Sequence, residues 1–302
     1  MNIKEIIDYT RSEVLDDVIE PHNWTDLGLI TNFNRAYEEL AREAWCIIDS
    51  ETVSVCRVPL YANQSLHSVS PKVVNVFDGS TLESNGHILF KRTESYLRNL
   101  INWKATIGTP VIMIMDSTNR KFSAYPKFDT TGYILGASNI SFDAGTKTIT
   151  AAVSMADFSA GDSFLVSGTT SNNGVFTVDS VGSTTIVVLE TLVNETNVSA
   201  KLQLERDAAL LRVARLPLVP YTEADLDLAT PPTPEVDSQW HYGLANGIAK
   251  YAFLKPDSET YDPQQSQRNA NVFEQFKGDV KLWVLIQMAG NENQCVPDIG
   301  TL

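Results

Sequence analysis

The chain has 302 residues, enough for one large domain or two modest ones, and 43% of them are hydrophobic, so a sizeable core is within reach. Lys and Arg number 23 against 37 Asp and Glu, a net charge of −14. That balance excludes a protein that grips nucleic acid through clustered bases, but not one that DNA slides past, since like charges repel. No apolar run approaches the roughly 18 residues a membrane span needs, and the acidic, amphipathic start MNIKEIIDYTRSEV has no signal-peptide core, so a soluble, cytoplasmically made protein with no membrane contact is expected.

In chain order, Ile3, Ile6, Ile7, Thr10, Val14 and Val18 recur at helical spacing and predict a helix over 3–18, ended by Pro21. A second helix is predicted from Thr25, a suitable N-cap, through the stripe Leu29, Ile30, Phe33, Tyr37, Leu40, Ala41, Ala44 and Ile48. The two make a helical hairpin. Glu38, Glu39 and Glu43 are expected on the wet face of the second helix. A β-rich stretch follows. Strands are predicted at Thr52–Val58, Lys72–Phe77, His87–Lys91, Pro110–Met115 and Lys121–Tyr125, with a helical turn or two over Glu94–Trp103.

From 131 to 205 the composition shifts to Ser, Thr, Val and Gly. Short alternating pieces at Lys147–Val153, Asp162–Val166, Gly174–Val178, Thr184–Glu190 and Ala200–Gln203 predict a small all-β module of barrel or sandwich type. It interrupts an otherwise α+β chain and reads as an insertion. Ala208–Arg215 reads as a strand or short helix, and Tyr221–Pro234 as an acidic, Pro-rich connector. Helices are predicted over Pro234–Leu254, with Trp240, Leu244, Ile248 and Tyr251 on one face, and from Pro263 to about Gln287, with Phe273, Phe276, Val280, Trp283 and Val284. The expected fold class is α+β, a helical bundle with an antiparallel β-region and the inserted module. The expected domains are a core at 1–130 continued at 206–288, the module at 131–205, and a flexible tail at 289–302.

The residues that carry chemistry are few. The four histidines, His22, His67, His87 and His241, fall in separate elements, and the cysteines, Cys46, Cys56 and Cys295, have no metal-ligand spacing. No HExxH, GxSxG, Walker loop or GxGxxG occurs. Glu223, Asp225 and Asp227 lack the glycine and distal ligand of a calcium loop and are expected to be a solvated linker. Gly168–Gly174 has the composition of a phosphate cradle but no lysine, and is expected to be a hairpin turn. No catalytic residue, cofactor or metal is expected.

The order of motifs is more telling than any one of them. Trp24-Thr25-Asp26 opens a helix with Asn34-Arg35-Ala36-Tyr37-Glu38-Glu39. Gly108-Thr109-Pro110 leads a strand, and Phe122-Ser123-Ala124-Tyr125-Pro126 follows. Then come Leu216-Pro217-Leu218-Val219-Pro220, the Pro234…His241…Leu244 helix ending in Ala249-Lys250-Tyr251-Ala252, and a last helix with Phe273-Glu274-Gln275-Phe276. Over about 10–130 and 205–288 this resembles the head-to-tail adaptor proteins of short-tailed and related bacteriophages. The resemblance implies a structural virion protein with no enzymatic activity. It implies a homo-oligomeric, dodecameric ring at the neck between the portal protein and the tail nozzle or tube, through which DNA passes without specific binding. The inserted module would reach tail fibres or capsid. Val296, Ile299 and Leu302, apolar side chains in the tail, are the residues expected to face the portal. The competing class is a trimeric, fibre-associated or receptor-binding protein built around the β-module.

Overall fold

The computed structural model describes residues 1–95, 105–116, 120–135, 139–197, 200–256 and 260–292. In chain order, α1 (Ile3–Tyr9) runs into a π-helical turn (Thr10–Leu15), then come α2 (Asp26–Ala44), β1 (Ile48–Asp49), the single-turn α3 (Val53–Cys56), β2 (Arg57–Tyr61), β3 (Leu66–Ser68), β4 (Val73–Val76) and β5 (Ser80–Leu82). They are followed by β6 (Ile88–Lys91), β7 (Ile112–Met115), β8 (Lys121–Tyr125), β9 (Tyr133–Leu135), β10 (Ile140–Asp143), β11 (Thr148–Thr150) and β12 (Ser163–Ser167). Then come β13 (Gly174–Val181), β14 (Thr185–Val188), β15 (Glu195–Asn197), β16 (Lys201–Leu210) and β17 (Val213–Arg215). Two 3-10 turns (Glu223–Leu226 and Ser238–Gly243) lead to α4 (Leu244–Ala252) and α5 (Pro263–Glu292). The fold is mixed α and β, and it divides into two compact units. One is Met1–Asp49 with Lys72–Asn75 and Val213–Leu302; the other is Ser50–Pro71 with Val76–Arg212.

The first unit is mainly helical. Asn2 closes a capping box on α1, and Thr25 caps α2 by accepting a hydrogen bond from the Gly28 amide at 3.2 Å, as the sequence predicts. The predicted stripe of α2 is buried from Leu29 to Ala44, but the helix stops there because Trp45 takes a left-handed conformation (φ 58°). Ile48 therefore lies in β1 and not on the helix. The predicted first helix is also shorter. It widens into the π-helical turn and ends at Leu15, where Asp16 is left-handed, which leaves Val18 outside. With that break, α1 packs chiefly against α4 and the 3-10 turns, not back along α2 as a hairpin. α4 crosses α2 closely because Gly247 faces Ala36: a Cβ on Gly247 would stand 2.8 Å from the Ala36 Cβ. Phe33, Tyr37, Leu40, Leu244, Ile248, Phe273 and Val280 fill the core, each large side chain contributing about 1.5–3 kcal/mol of burial. β1, β17 and β4 form a small three-stranded sheet in that order.

The second unit is almost entirely β. Its hydrogen bonds run from β15 through β10, β11, β14, β13 and β12 to β16, then through β5, β6, β7 and β8 to β3. β2 and β9 also pair with β16. Among the described strands of this unit every pairing is antiparallel except the parallel one of β6 with β7, beside an isolated parallel bridge of Ile107 with Lys127, so the sheet is mixed. The described strands close no barrel: of the barrel or sandwich form expected for 131–205 the barrel is not found, and these strands belong to one large mixed sheet. The reason is β16. Its first half, Lys201–Leu204, pairs with β12 and β9, and its second half, from Glu205 on, pairs with β2 and β5. One continuous strand thus passes through residue 205, where the composition places a domain boundary. The predicted strand Thr52–Val58 is also corrected. Val53–Cys56 is a helical turn, with the Val55 and Cys56 amides donating to the Thr52 carbonyl, and the strand begins at Arg57. That turn buries Val55 and Cys56 together, which alternation cannot do.

The β-module has its own core. Phe142, Phe158, Phe164, Phe176, Ile149, Ile186 and Leu202 are buried together, with Phe158 edge-on to Phe164 at 5.5 Å. Gly132 allows β9 to reach β16: its φ is +76°, and a Cβ there would stand 2.4 Å from the Leu204 Cβ.

Candidate functional site

The densest group of ionisable side chains lies in the helical unit. Glu39 and Glu43 are one turn apart on α2, and Glu274 and Lys277 one turn apart on α5. The Lys277 ammonium donates to Glu39 and Glu43 at 2.6 Å each and to Glu274 at 2.7 Å. α4 adds Lys250, 2.7 and 2.8 Å from the two Glu39 oxygens, and the Tyr251 hydroxyl, which donates to Glu39 at 2.6 Å. The expected wet face holds for Glu38 and Glu43, whose side chains are about half exposed, and is corrected for Glu39, which is only 18% exposed beside a Lys277 that is only 4% exposed. Burial by itself would raise the Glu39 pKa, but the hydrogen bonds from Lys250, Lys277 and Tyr251 outweigh it and hold the carboxyl at about 2. Lys277 is pushed upward: burial opposes its charge, and the bonds to Glu274, Glu39 and Glu43 more than offset that.

Three carboxylates with oxygens within 4.8 Å of one another have the spacing of a cation site. The Lys277 ammonium already sits among them and gives one proton to each, so all its donors are used. The cluster is a clasp that joins α2, α4 and α5, with the Glu39 carboxyl at its centre ionised near neutral pH. Its signal was present in the sequence as Glu39…Glu43 and Glu274…Lys277 at helical spacing, but the pairing across helices was not.

Two further cations are buried among acids in the same unit. Arg215 bridges Asp49 and Glu235. Arg11 pairs with Asp17 at 2.8 Å and Asp26 at 2.6 Å, while Asp17 also accepts from the Asn23 amide at 2.8 Å. The turn between them leaves Ile19 80% exposed.

The histidines stay apart. His22 has Asp17 at 3.9 Å. His67 is buried against the Phe122 ring, and desolvation pulls its pKa down to about 4. His87 is exposed, and His241 is fully buried, its Nε2 2.9 Å from the Val236 carbonyl. Among the described residues Cys46 and Cys56 form no disulfide, and burial pushes the Cys46 thiol up to about 12. The acidic stretch at Glu223–Asp227 is more ordered than a linker: it forms a 3-10 turn capped by Thr222 and Asp225 and buries Leu226 in the core. Gly168–Gly174 joins β12 to β13 as the expected hairpin turn, and the Asn173 amide donates to the Thr169 carbonyl at 2.6 Å. Val296, Ile299 and Leu302 lie outside the described residues. So do most of the turn predicted at Glu94–Trp103 and the Ser117–Asn119 connection.

The last helix carries a surface that periodicity alone did not separate. α5 runs 30 residues, to Glu292 and so past the predicted end. Phe273, Val280 and Val284 are buried, and Trp283 meets Trp240 edge-on at 6.0 Å. On another side Leu282, Leu285 and Ile286 are 60%, 43% and 59% exposed. No helix among the described residues is long and apolar enough to cross a membrane. No protein-family profile matches the chain, and no curated protein matches it.

Proposed function

We propose that this chain is a structural assembly protein without enzymatic activity, a head-to-tail adaptor that forms a ring between portal and tail in a tailed phage virion. The observation that carries the reading is α5. One side closes the helical core, and the other leaves Leu282, Leu285 and Ile286 open along successive turns, the pattern of a helix completed by a neighbour. The motif order from Trp24-Thr25-Asp26 to Phe273…Phe276 supports it, as does the net charge of −14, which suits a channel that DNA crosses without sticking. In such a ring the helices stand side by side as a bundle around the channel, and heterologous contacts that close by rotation set the copy number. The β-module then contacts fibres or capsid, and the tail with Val296, Ile299 and Leu302 reaches the portal.

The test is the mass of the assembly formed by the chain alone and after mixing with the portal ring of the same virus. A closed ring that co-migrates with the portal is expected. A discrete trimer that ignores the portal overturns the reading and favours a fibre-associated protein.

A further inference from the structure

We infer that the open face of α5 and a groove at the start of α2 are the two halves of one head-to-tail contact between copies of this chain. The inference rests on the assembly reading for why copies meet, but it names the surfaces.

The face on α5 is defined by helical spacing. Gly278, Asp279, Leu282, Leu285 and Ile286 share one side, and a Cβ on Gly278 would meet nothing within 4 Å. Lys281 is turned away, its ammonium 4.3 Å from the Trp45 ring centroid. Asp279 is therefore the charge on the apolar face.

The groove has a volume of about 500 Å³ and is lined by Trp24, Leu27, Gly28, Arg35, Tyr251 and Leu254, among others. Leu27 and Leu254 are 57% and 48% exposed on its walls. The Arg35 guanidinium lies 4.0 Å from the Tyr251 ring centroid, which holds it in place at the rim. Lys255, hydrogen-bonded to the Asn23 carbonyl, adds a second cation. A basic rim on a chain of net charge −14 selects an acidic visitor, and Asp279 beside three apolar side chains matches an arginine beside an apolar trough.

The two surfaces share no residue. The groove is built on the first half of α2, from Thr25 to Arg35, whereas α5 reaches Trp45 at the other end of that 19-residue helix, ten residues or about 15 Å of helix beyond Arg35. A copy that uses both binds one neighbour with each, and such contacts propagate into a ring or filament instead of stopping at a pair.

The experiment uses the full chain, with the portal ring present if the wild type needs it, and reads assembly mass against concentration. Arg35→Glu and Asp279→Arg are both exposed changes, checked for folding by circular dichroism. Each variant alone places like charges across the contact and is expected to weaken assembly at least tenfold. An equimolar mixture of the two is expected to recover it, because every contact in an alternating array again pairs opposite charges. Leu282→Ser with Ile286→Ser is expected to abolish assembly in any mixture. If rings form normally from either charge variant alone, the inference is overturned and the adaptor reading stands. If the charge swap controls self-association but no portal binds, the adaptor reading falls and the contact stands. A closed dimer, or a wild type that stays monomeric with and without the portal, overturns the inference.

Discussion

In the helical unit, charged side chains are folded inside: Arg11, Asp17, Arg215 and Lys277 are all buried, each against an opposite charge. In the β unit the buried polar residues among those described are neutral or weakly basic, namely His67, Ser80, Thr169, Asn172 and Gln203, held by hydrogen bonds to backbone and hydroxyl groups and, at Asn172, to the Glu195 carboxylate. A buried ion pair adds little net stability over an apolar pair, but losing one partner is costly and its geometry is demanding. The helical unit thus ties the relative placement of α2, α4 and α5 to charge, while the β unit relies on a sheet ladder and an apolar core. The first should respond more strongly to charge-changing substitutions, while acid should reach both, through Glu39 in the first and through the buried His67, whose pKa burial pulls down to about 4, in the second.

The largest expected effect lies in the β unit. Phe164→Ala removes a fully buried ring that touches Phe158 and Phe176 and should cost about 4 kcal/mol. Amide hydrogen exchange over 140–190 checks it, and the tryptophan fluorescence from Trp24, Trp45, Trp240 and Trp283 in the helical unit should stay unchanged. Next is Lys277→Ala, which leaves the carboxylates of Glu39, Glu43 and Glu274 facing one another. A loss of about 3 kcal/mol is expected, read in urea by tryptophan fluorescence; Lys277→Met paired with Glu39→Gln should recover part of it. If that variant loosened the β unit equally, the contrast between the units would fail.

Acid acts on the two units in different windows: His67 in the β unit costs stability as the pH falls from about 6.5 toward 4, and Glu39 in the helical unit below that. The Glu39 pKa falls from 4.5 to about 2 on folding, so its contribution is present above about pH 4.5 and is lost as the pH falls toward 2. We expect about 2 kcal/mol of the helical unit's stability to disappear across that window, and Glu39→Gln to flatten this part of the profile. The smallest effect is Thr25→Ala, which removes the α2 cap and should cost about 1 kcal/mol, measured as a lower urea midpoint.

Much of this was legible in the sequence where burial is one-sided. The stripe of α2, the Thr25 cap, β7 with β8 and the hairpin at 168–174 follow from periodicity and turn chemistry alone. The failures have physical causes. Val53–Cys56 has β-branched residues at alternate positions, yet the local bonds to the Thr52 carbonyl make it a helical turn. Glu39 has the spacing of a solvated residue, and only the arrival of Lys250, Tyr251 and Lys277 from distant segments puts it inside. The boundary near 205 was placed by composition, but strand pairing follows backbone register and ran through it. The open side of α5 was hidden because the helix is apolar in several directions at once.

That shared strand has a mechanical consequence. Ladder hydrogen bonds lie across the strand direction, so tension applied along β16 loads all of them together in shear and does not peel them one at a time. A pull on the β-module would pass along ten residues of a single backbone segment into the pairings with β2 and β5. The module is anchored the way a beam is built into a wall, and force at its far end should be borne by both halves before either yields.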